Sequence, residues 1–164
     1  MAISLLSIAT AQTSKTGPSN RLFQEIAKLI ADSNDALARN SQGSTAQASD
    51  FDSKGFRYME KSLLGPNRIP RLEVTQIVWS FFDRFSLVHD GWQYGMFLFF
   101  KTPTKLLLRD GTGPARASKT TLALFSFDTE AKATHLRDLL SQAANLEGAQ
   151  IQNRWTPMPR RTSS

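Results

Sequence analysis

The 164-residue chain contains no cysteine and only two histidines, His89 and His135. The absence of cysteine excludes disulfide bonds, thiolate metal sites and a cysteine nucleophile. Two histidines supply few ligands for zinc and few candidates for a general base. These shortages predict a protein that binds no metal and carries no cofactor.

The sequence also lacks the motifs of common enzymes. No serine stands in a G-x-S-x-G elbow, and no paired-carboxylate motif is visible. Gly111 and Gly113 lie in a glycine-containing loop, but neither a dinucleotide fingerprint nor a P-loop is completed around them. We therefore predict that the protein is not an enzyme. The alternative is an enzyme whose active site is assembled only by the fold.

No apolar run approaches the length that a membrane-spanning helix needs. The apolar stretch 3–8 has no basic region before it and is interrupted by two serines, so a secretory signal is not indicated. These features predict an intracellular protein of the cytoplasm or nucleus, with a flexible N-terminal arm over 1–18. Because residues up to Asn20 contain no acid and several hydroxyl side chains, an organelle transit peptide is the alternative for this arm.

Acidic residues are in the minority, with 14 Asp and Glu against 20 Lys and Arg and a formal net charge of +6. The excess is concentrated within 101–119, where five cations accompany Asp110 alone, and at the C-terminus, where three arginines have no acid nearby. The predicted polyanion-binding residues are Lys101, Lys105, Arg109, Arg116, Lys119, Arg154, Arg160 and Arg161. Clustered positive charge attracts nucleic acid, anionic lipid headgroups or acidic partners, although a solvated surface can have the same composition.

A helical pattern of apolar residues follows Gly17-Pro18-Ser19-Asn20, whose serine and asparagine can cap a first turn. The pattern predicts an amphipathic helix over 19–39. Its apolar stripe contains Leu22, Phe23, Ile26, Leu29 and Ile30. This stripe can pack on the core, or it can bind a partner protein or a second copy of the chain. The following residues, 40–55, contain one large apolar residue, Phe51, and predict a flexible linker.

The predicted core domain spans 56–155 and precedes a basic tail over 156–164. Apolar spacing predicts a short helix from Phe56 to Leu64 and a second helix over 72–87. Strand patterns follow over 92–101, 105–109 and 120–127, and a capped helix over 129–145 leads to a short strand over 151–155. The expected fold class is α+β: a small antiparallel sheet of three to four strands packed with helices and preceded by the amphipathic helix.

Residues 96–100 are apolar at every position, which predicts a central strand with both faces covered. Strand alternation then places Phe97 and Phe99 against one helical layer and Leu98 and Phe100 against the other. The expected layers are the helices over 72–87 and 129–145.

The segment Trp92-Gln-Tyr-Gly-Met-Phe-Leu-Phe-Phe resembles the aromatic RNA-binding strand of RRM domains. Tyr94, Gly95 and Phe99 match that pattern, whereas Met96 replaces an aromatic and the first two places differ. A second strand rather than a helix is expected next, which departs from the RRM order. The resemblance implies that Trp92 and Tyr94 stack on bases. The alternative is a hydrophobic core strand with cationic ends.

These observations predict a non-enzymatic, basic binding and assembly protein. Its polyanion would be RNA, a ribonucleoprotein or an anionic membrane surface. In composition alone, small basic chains without cysteine resemble viral matrix and nucleoprotein-associated proteins. The alternative from another class is a protein–protein interaction module that docks through its N-terminal helix.

Overall fold

The computed structural model describes residues 18–38 and 44–160, which form six antiparallel strands and two helices. The strands are β1 (Thr45–Ser49), β2 (Gly55–Leu64), β3 (Ile69–Val78), β4 (Phe82–Asp90), β5 (Gln93–Asp110) and β6 (Arg116–Phe127). The helices are α1 (Pro18–Ala38) and α2 (Glu130–Leu146), and a 3₁₀ turn, Trp79–Phe81, joins β3 to β4.

The 18-residue strand β5 organises the sheet, whose order is β1-β2-β3-β5-β4 with β6 on the other edge of β5. Residues 93–100 of β5 pair with β4, and residues 106–110 pair with β3. The register between β5 and β6 shifts between Phe99 and Thr104. An irregularity of this kind bends a strand, and it lets one long strand serve two neighbours on the same edge.

The sheet is curled, so that β2, the second strand from one end, approaches the edge strand β6 across the concave side. The ring centroids of Tyr58 on β2 and Phe125 on β6 are 4.6 Å apart. The Tyr58 hydroxyl lies 3.2 Å from both the Leu124 carbonyl and the Glu60 carboxylate, to which it can donate. Burial, reinforced by the charge of Glu60, raises the pKa of Tyr58 well above its ordinary value. The phenol therefore keeps its proton, and β2 stays linked to β6.

The core lies on the concave side, where both helices cover alternate residues of the strands. The fully buried strand residues include Phe56, Ile77, Phe85, Met96, Leu98, Phe125 and Phe127. Leu22, Ile26 and Ile30 of α1 and Leu136 and Leu140 of α2 pack into the same cluster. The convex side of the sheet carries neither helix, so its side chains remain accessible over much of the described chain.

Trp79 anchors the junction of the 3₁₀ turn with α1. It is 1% exposed, and its ring packs at 5.2–5.8 Å from those of Phe23, Phe56 and Phe82. Its indole N–H donates to the Asp52 carbonyl over 3.0 Å. A buried indole contributes a large apolar contact area, and its N–H hydrogen bond fixes the orientation of the ring. Here the ring packs against Phe23 and so holds α1 against the sheet.

The prediction of a small sheet of three to four strands packed with more helices is wrong, because the sheet is larger and the helices are fewer. The expected helix from Phe56 to Leu64 is β2. The expected helix over 72–87 is β3, the 3₁₀ turn and β4. The 3₁₀ turn and a β-bulge between Phe82 and Arg84 both shift the alternation, so that Ile77, Trp79, Phe82 and Phe85 all reach the core at a spacing close to that of a helix.

The two separate strands expected over 92–101 and 105–109 are the single strand β5. Pro103 sits where the β5–β6 register shifts, a position at which a strand tolerates the missing N–H. The prediction that 96–100 is covered on both faces is also wrong. Leu98 and Phe100 are buried on the concave side, whereas Phe97 and Phe99 are half-buried on the convex side.

The interval predicted to be a flexible linker, 40–55, contains β1. Its two alanines, Ala46 and Ala48, are buried, because small side chains let the strand pack closely against α1. The expected strand over 151–155 is reduced to one parallel bridge between Phe85 and Trp155. The expected arm lies outside the described residues over 1–17.

Two helix predictions are confirmed. The amphipathic helix expected over 19–39 is α1. The helix expected over 129–145 is α2, and its first turn is capped by the Thr129 hydroxyl, which accepts from the Lys132 amide.

Candidate polyanion-binding surface

The convex side of the sheet presents a group of cations that we call the basic face. It consists of Arg57 and Lys61 on β2, Lys105 and Arg109 on β5, and Lys119 on β6. Lys105 lies directly opposite Lys119, and Lys61 and Arg109 are both opposite Leu72 of β3. Directly opposed residues share a face, so pairing aligns these cations in rows across four strands.

Apolar side chains lie between the cationic rows. Val74, Leu107 and Ala117 occupy one row across β3, β5 and β6. Together with Lys105 and Lys119 they line a shallow concavity. Leu107 is 42% exposed there. This part of the basic face can therefore contact a ligand that has both charged and apolar groups.

The carboxylates of the same strands face the opposite, concave side. They are Glu60 on β2, Glu73 on β3 and Asp110 on β5, and the outward positions of these strands contain no acid. Arg71 and Arg116 are on the concave side as well, and they bind the two oxygens of Asp110 over 2.8 and 2.9 Å. The hydrogen bond from Arg71 lowers the pKa of Asp110. On β2, β3, β5 and β6 the convex side thus holds cations only, whereas the concave side holds charges of both signs.

The cations of the basic face are largely uncompensated. Arg57 pairs with Asp50 over 3.2 Å at an exposed position. Within 19–33 and 44–160, where side chains are described, no carboxylate lies within ion-pair distance of Lys61, Lys105, Arg109 or Lys119. Like charges directly opposite each other, such as Lys105 and Lys119, disfavour the sheet. A bound anion would relieve that repulsion.

A second group of cations surrounds a cleft between the start of β4, the bend of β5 and the C-terminal segment. We call it the cationic cleft. Its charged residues are Arg84, Lys101 and Arg154, with Asp83 as the one acid among its described lining residues. Arg84 binds Asp83 over 2.9 Å, and its guanidinium lies 4.4 Å from the ring centroid of Phe99.

The fold thus divides the predicted polyanion-binding residues between several places. Lys105, Arg109 and Lys119 share the basic face, and Lys101 and Arg154 share the cationic cleft. Arg116 is engaged by Asp110 on the concave side, and Arg160 is exposed near the end of the described chain. Arg161 lies outside the described residues.

The residues expected to stack on bases are not adjacent to the basic face. Trp92 is 42% exposed in the turn between β4 and β5. The half-buried ring of Tyr94 lies against the core and stacks on His89, with centroids 4.1 Å apart and an interplanar angle of 2°. Tyr94 therefore already has one ring face covered, and neither residue neighbours the cationic rows in the sheet register.

The apolar stripe predicted for partner binding faces the chain's own core. Leu22, Ile26 and Ile30 are buried, and Phe23 and Leu29 are partly buried and pack against the same cluster. In the described structure this side of α1 is therefore covered by the sheet and α2.

Sequence reasoning missed Arg57, Lys61 and Arg84, and it placed Phe97 and Phe99 in the wrong surroundings. Strand alternation identifies the first two. Arg57 and Lys61 are four residues apart, so they share one face of β2, and Phe56 and Tyr58 occupy the other face. That signal was lost because 56–64 was interpreted as a helix. Arg84 was overlooked because its neighbours in space are distant in sequence.

Within the part of the chain that the structure describes, no group of three or more potential ligands could hold a metal ion. Neither α1 nor α2 is long and apolar enough to cross a membrane. Comparison with known proteins finds no matching family model, no similar curated protein and no similar solved structure.

Proposed function

We propose that the protein binds nucleic acid through phosphate contacts on the basic face. The observation that carries this proposal is that the convex positions of β2, β3, β5 and β6 hold cations and no acid. Cations on β2, β5 and β6 point to the open convex side, while the acids of these strands and β3 point to the concave side. Such a surface attracts phosphates, and binding gains free energy from the release of condensed counterions.

The spacing of the cations favours a polymer over a small anion. Lys61 on β2 and Lys119 on β6 are separated by three strand intervals, which is about 14 Å in the direction across the strands alone. Lys105 and Arg109 are four residues apart on β5, about 13 Å along the strand. A single phosphate cannot contact cations over such distances, whereas a chain of phosphates can.

The test is the salt dependence of binding to a fluorescent single-stranded oligonucleotide. In Lys105→Gln/Lys119→Gln, the slope of log affinity against log salt should be shallower by about 1.4 if each side chain contacts one phosphate. The matched control is Arg21→Gln/Lys28→Gln, which removes the same charge from exposed positions on α1.

The proposal fails if wild-type affinity does not depend on salt, or if the control variant changes the slope as much as the test variant. Binding to vesicles of anionic lipid without any binding to oligonucleotides would assign the basic face to a membrane surface instead. The interaction-module alternative has less support, because the apolar side of α1 is buried.

A further inference from the structure

The convex side also carries an aromatic patch, formed by the two phenylalanines Phe97 and Phe99 of β5. Their ring centroids are 6.2 Å apart and their planes differ by 25°. They pair with Leu124 and Leu122 of β6, which are 37% and 38% exposed. Neither helix covers this side, so four large apolar side chains lie partly exposed on the convex side, two on the central strand β5 and two on the edge strand β6.

Arg84 connects this patch to the cationic cleft. It lies opposite Phe99 on β4, and its guanidinium rests over the Phe99 ring at 4.4 Å. The same arginine lines the cleft with Lys101 and Arg154. Gln150, Gln152 and Thr156 add polar groups to the cleft lining. Arg84 therefore borders both the aromatic patch and the cations of the cationic cleft.

We propose that the aromatic patch and the cationic cleft together bind a single-stranded segment of nucleic acid. Unpaired bases pack against Phe97, Phe99 and the Arg84 guanidinium plane, and the adjoining phosphates are held by Lys101 and Arg154. This inference rests on the proposed function and adds to it the class of nucleic acid that is bound.

The side-chain chemistry favours a single strand over a duplex. Unstacked bases pack on aromatic rings and on arginine planes, and this contribution tolerates any base because each has a π face. In a duplex the bases remain stacked on each other, and the accessible groups are mainly phosphates and sugars. Contact with two phenylalanines and two leucines adds no binding free energy for these polar groups. A lipid bilayer is less suited, since Phe97 and Phe99 are half-buried within the sheet and do not protrude.

The experiment compares a single-stranded oligonucleotide with a duplex of equal length at fixed salt, using the full chain. The wild-type protein should prefer the single strand. In Phe97→Leu/Phe99→Leu, affinity for the single strand should fall by about fivefold or more, while affinity for the duplex and the salt slope stay unchanged. Phe51→Leu, a half-buried phenylalanine on the core side, is the control and should leave binding unchanged.

A second variant guards against loss of folding. Phe97→Tyr/Phe99→Tyr keeps both ring faces, so single-strand binding should be preserved. In addition, a photoreactive halogenated oligonucleotide should crosslink to the wild-type segment 93–101. Crosslinking elsewhere only, or loss of binding in the tyrosine variant while it remains folded, contradicts the inference.

Two further outcomes separate this inference from the proposed function. Equal affinity for single strand and duplex, with the salt slope still dependent on Lys105 and Lys119, overturns the stacking site and leaves the phosphate-binding face intact. Binding to neither oligonucleotide overturns both. Sedimentation that shows self-association of the wild type, abolished in the leucine variant, would instead assign the patch to a second copy of the chain.

Discussion

Glu60 and Glu73 lie directly opposite each other on β2 and β3, with both side chains on the concave side of the sheet. Two carboxylates in this arrangement repel each other when both are ionised. Burial, as the largest cause, raises the pKa of Glu60, and the charge of Glu73 raises it further. The hydrogen bond from the Tyr58 hydroxyl acts in the opposite direction, because it stabilises the ionised form.

We expect this relationship to make stability depend on pH. A carboxyl with a raised pKa binds its proton more tightly in the folded state, so its contribution to folding becomes less favourable as pH rises from about 4.5 through its folded pKa. Glu60→Gln keeps an acceptor for Tyr58 and removes this effect. The variant should gain stability relative to the wild type at pH 7 compared with pH 4, measured by chemical denaturation.

The control for this prediction is Glu25→Gln on the exposed side of α1, whose stability difference from the wild type should not show that trend. The interpretation is contradicted if the free energy of unfolding of Glu60→Gln differs from that of the wild type by the same amount at pH 4 and at pH 7.

The two faces of β5 should respond differently to truncation. Phe100 is 5% exposed in the core, so Phe100→Ala should lower the free energy of unfolding by about 3–5 kcal/mol. Phe99 is half-buried on the convex side, and Phe99→Ala should cost about 1–2 kcal/mol, including its contact with the Arg84 guanidinium. Denaturant midpoints measure both values. Equal losses would show that the convex side is covered in solution.

The helix α1 should behave as part of the core rather than as a separate arm. Ile26 is fully buried where α1 packs on the rest of the core cluster, so Ile26→Ala should lower the free energy of unfolding by about 2–5 kcal/mol. Glu25→Ala, one residue earlier on the exposed side, should change stability by no more than about 0.5 kcal/mol. If Ile26→Ala melts like the wild type, α1 is dispensable for folding.

Several features could be predicted from the sequence because they depend on neighbouring residues. The i, i+3, i+4 stripe from Leu22 to Ile30 predicts α1, and a capping residue followed by an apolar face from Ala131 to Ala143 predicts α2. The strand character of 92–101 and 120–127 was also visible, since long alternating and β-branched or aromatic runs favour extended structure. The concentration of cations within 101–119 needed only counting.

Other features depended on pairing between distant segments, which local patterns do not specify. Met59 and Leu63 fit the period of one predicted helix, and Val74 fits the period of another. All three residues lie in strands, because β2 pairs with β3. Only the register showed that Lys105 lies opposite Lys119, and that Arg116 turns away from both to bind Asp110.

Local sequence patterns are sufficient to predict the charge of this protein, its two helices and the residue types available for a site. The face that each strand residue occupies depends on the whole fold, because alternation assigns a face only once the strand's partner and its bend are set. Phe97 and Phe99 show the difference. Their apolar character predicted burial, but the sheet has helices on one side only, and the parity of β5 leaves both rings on the other side.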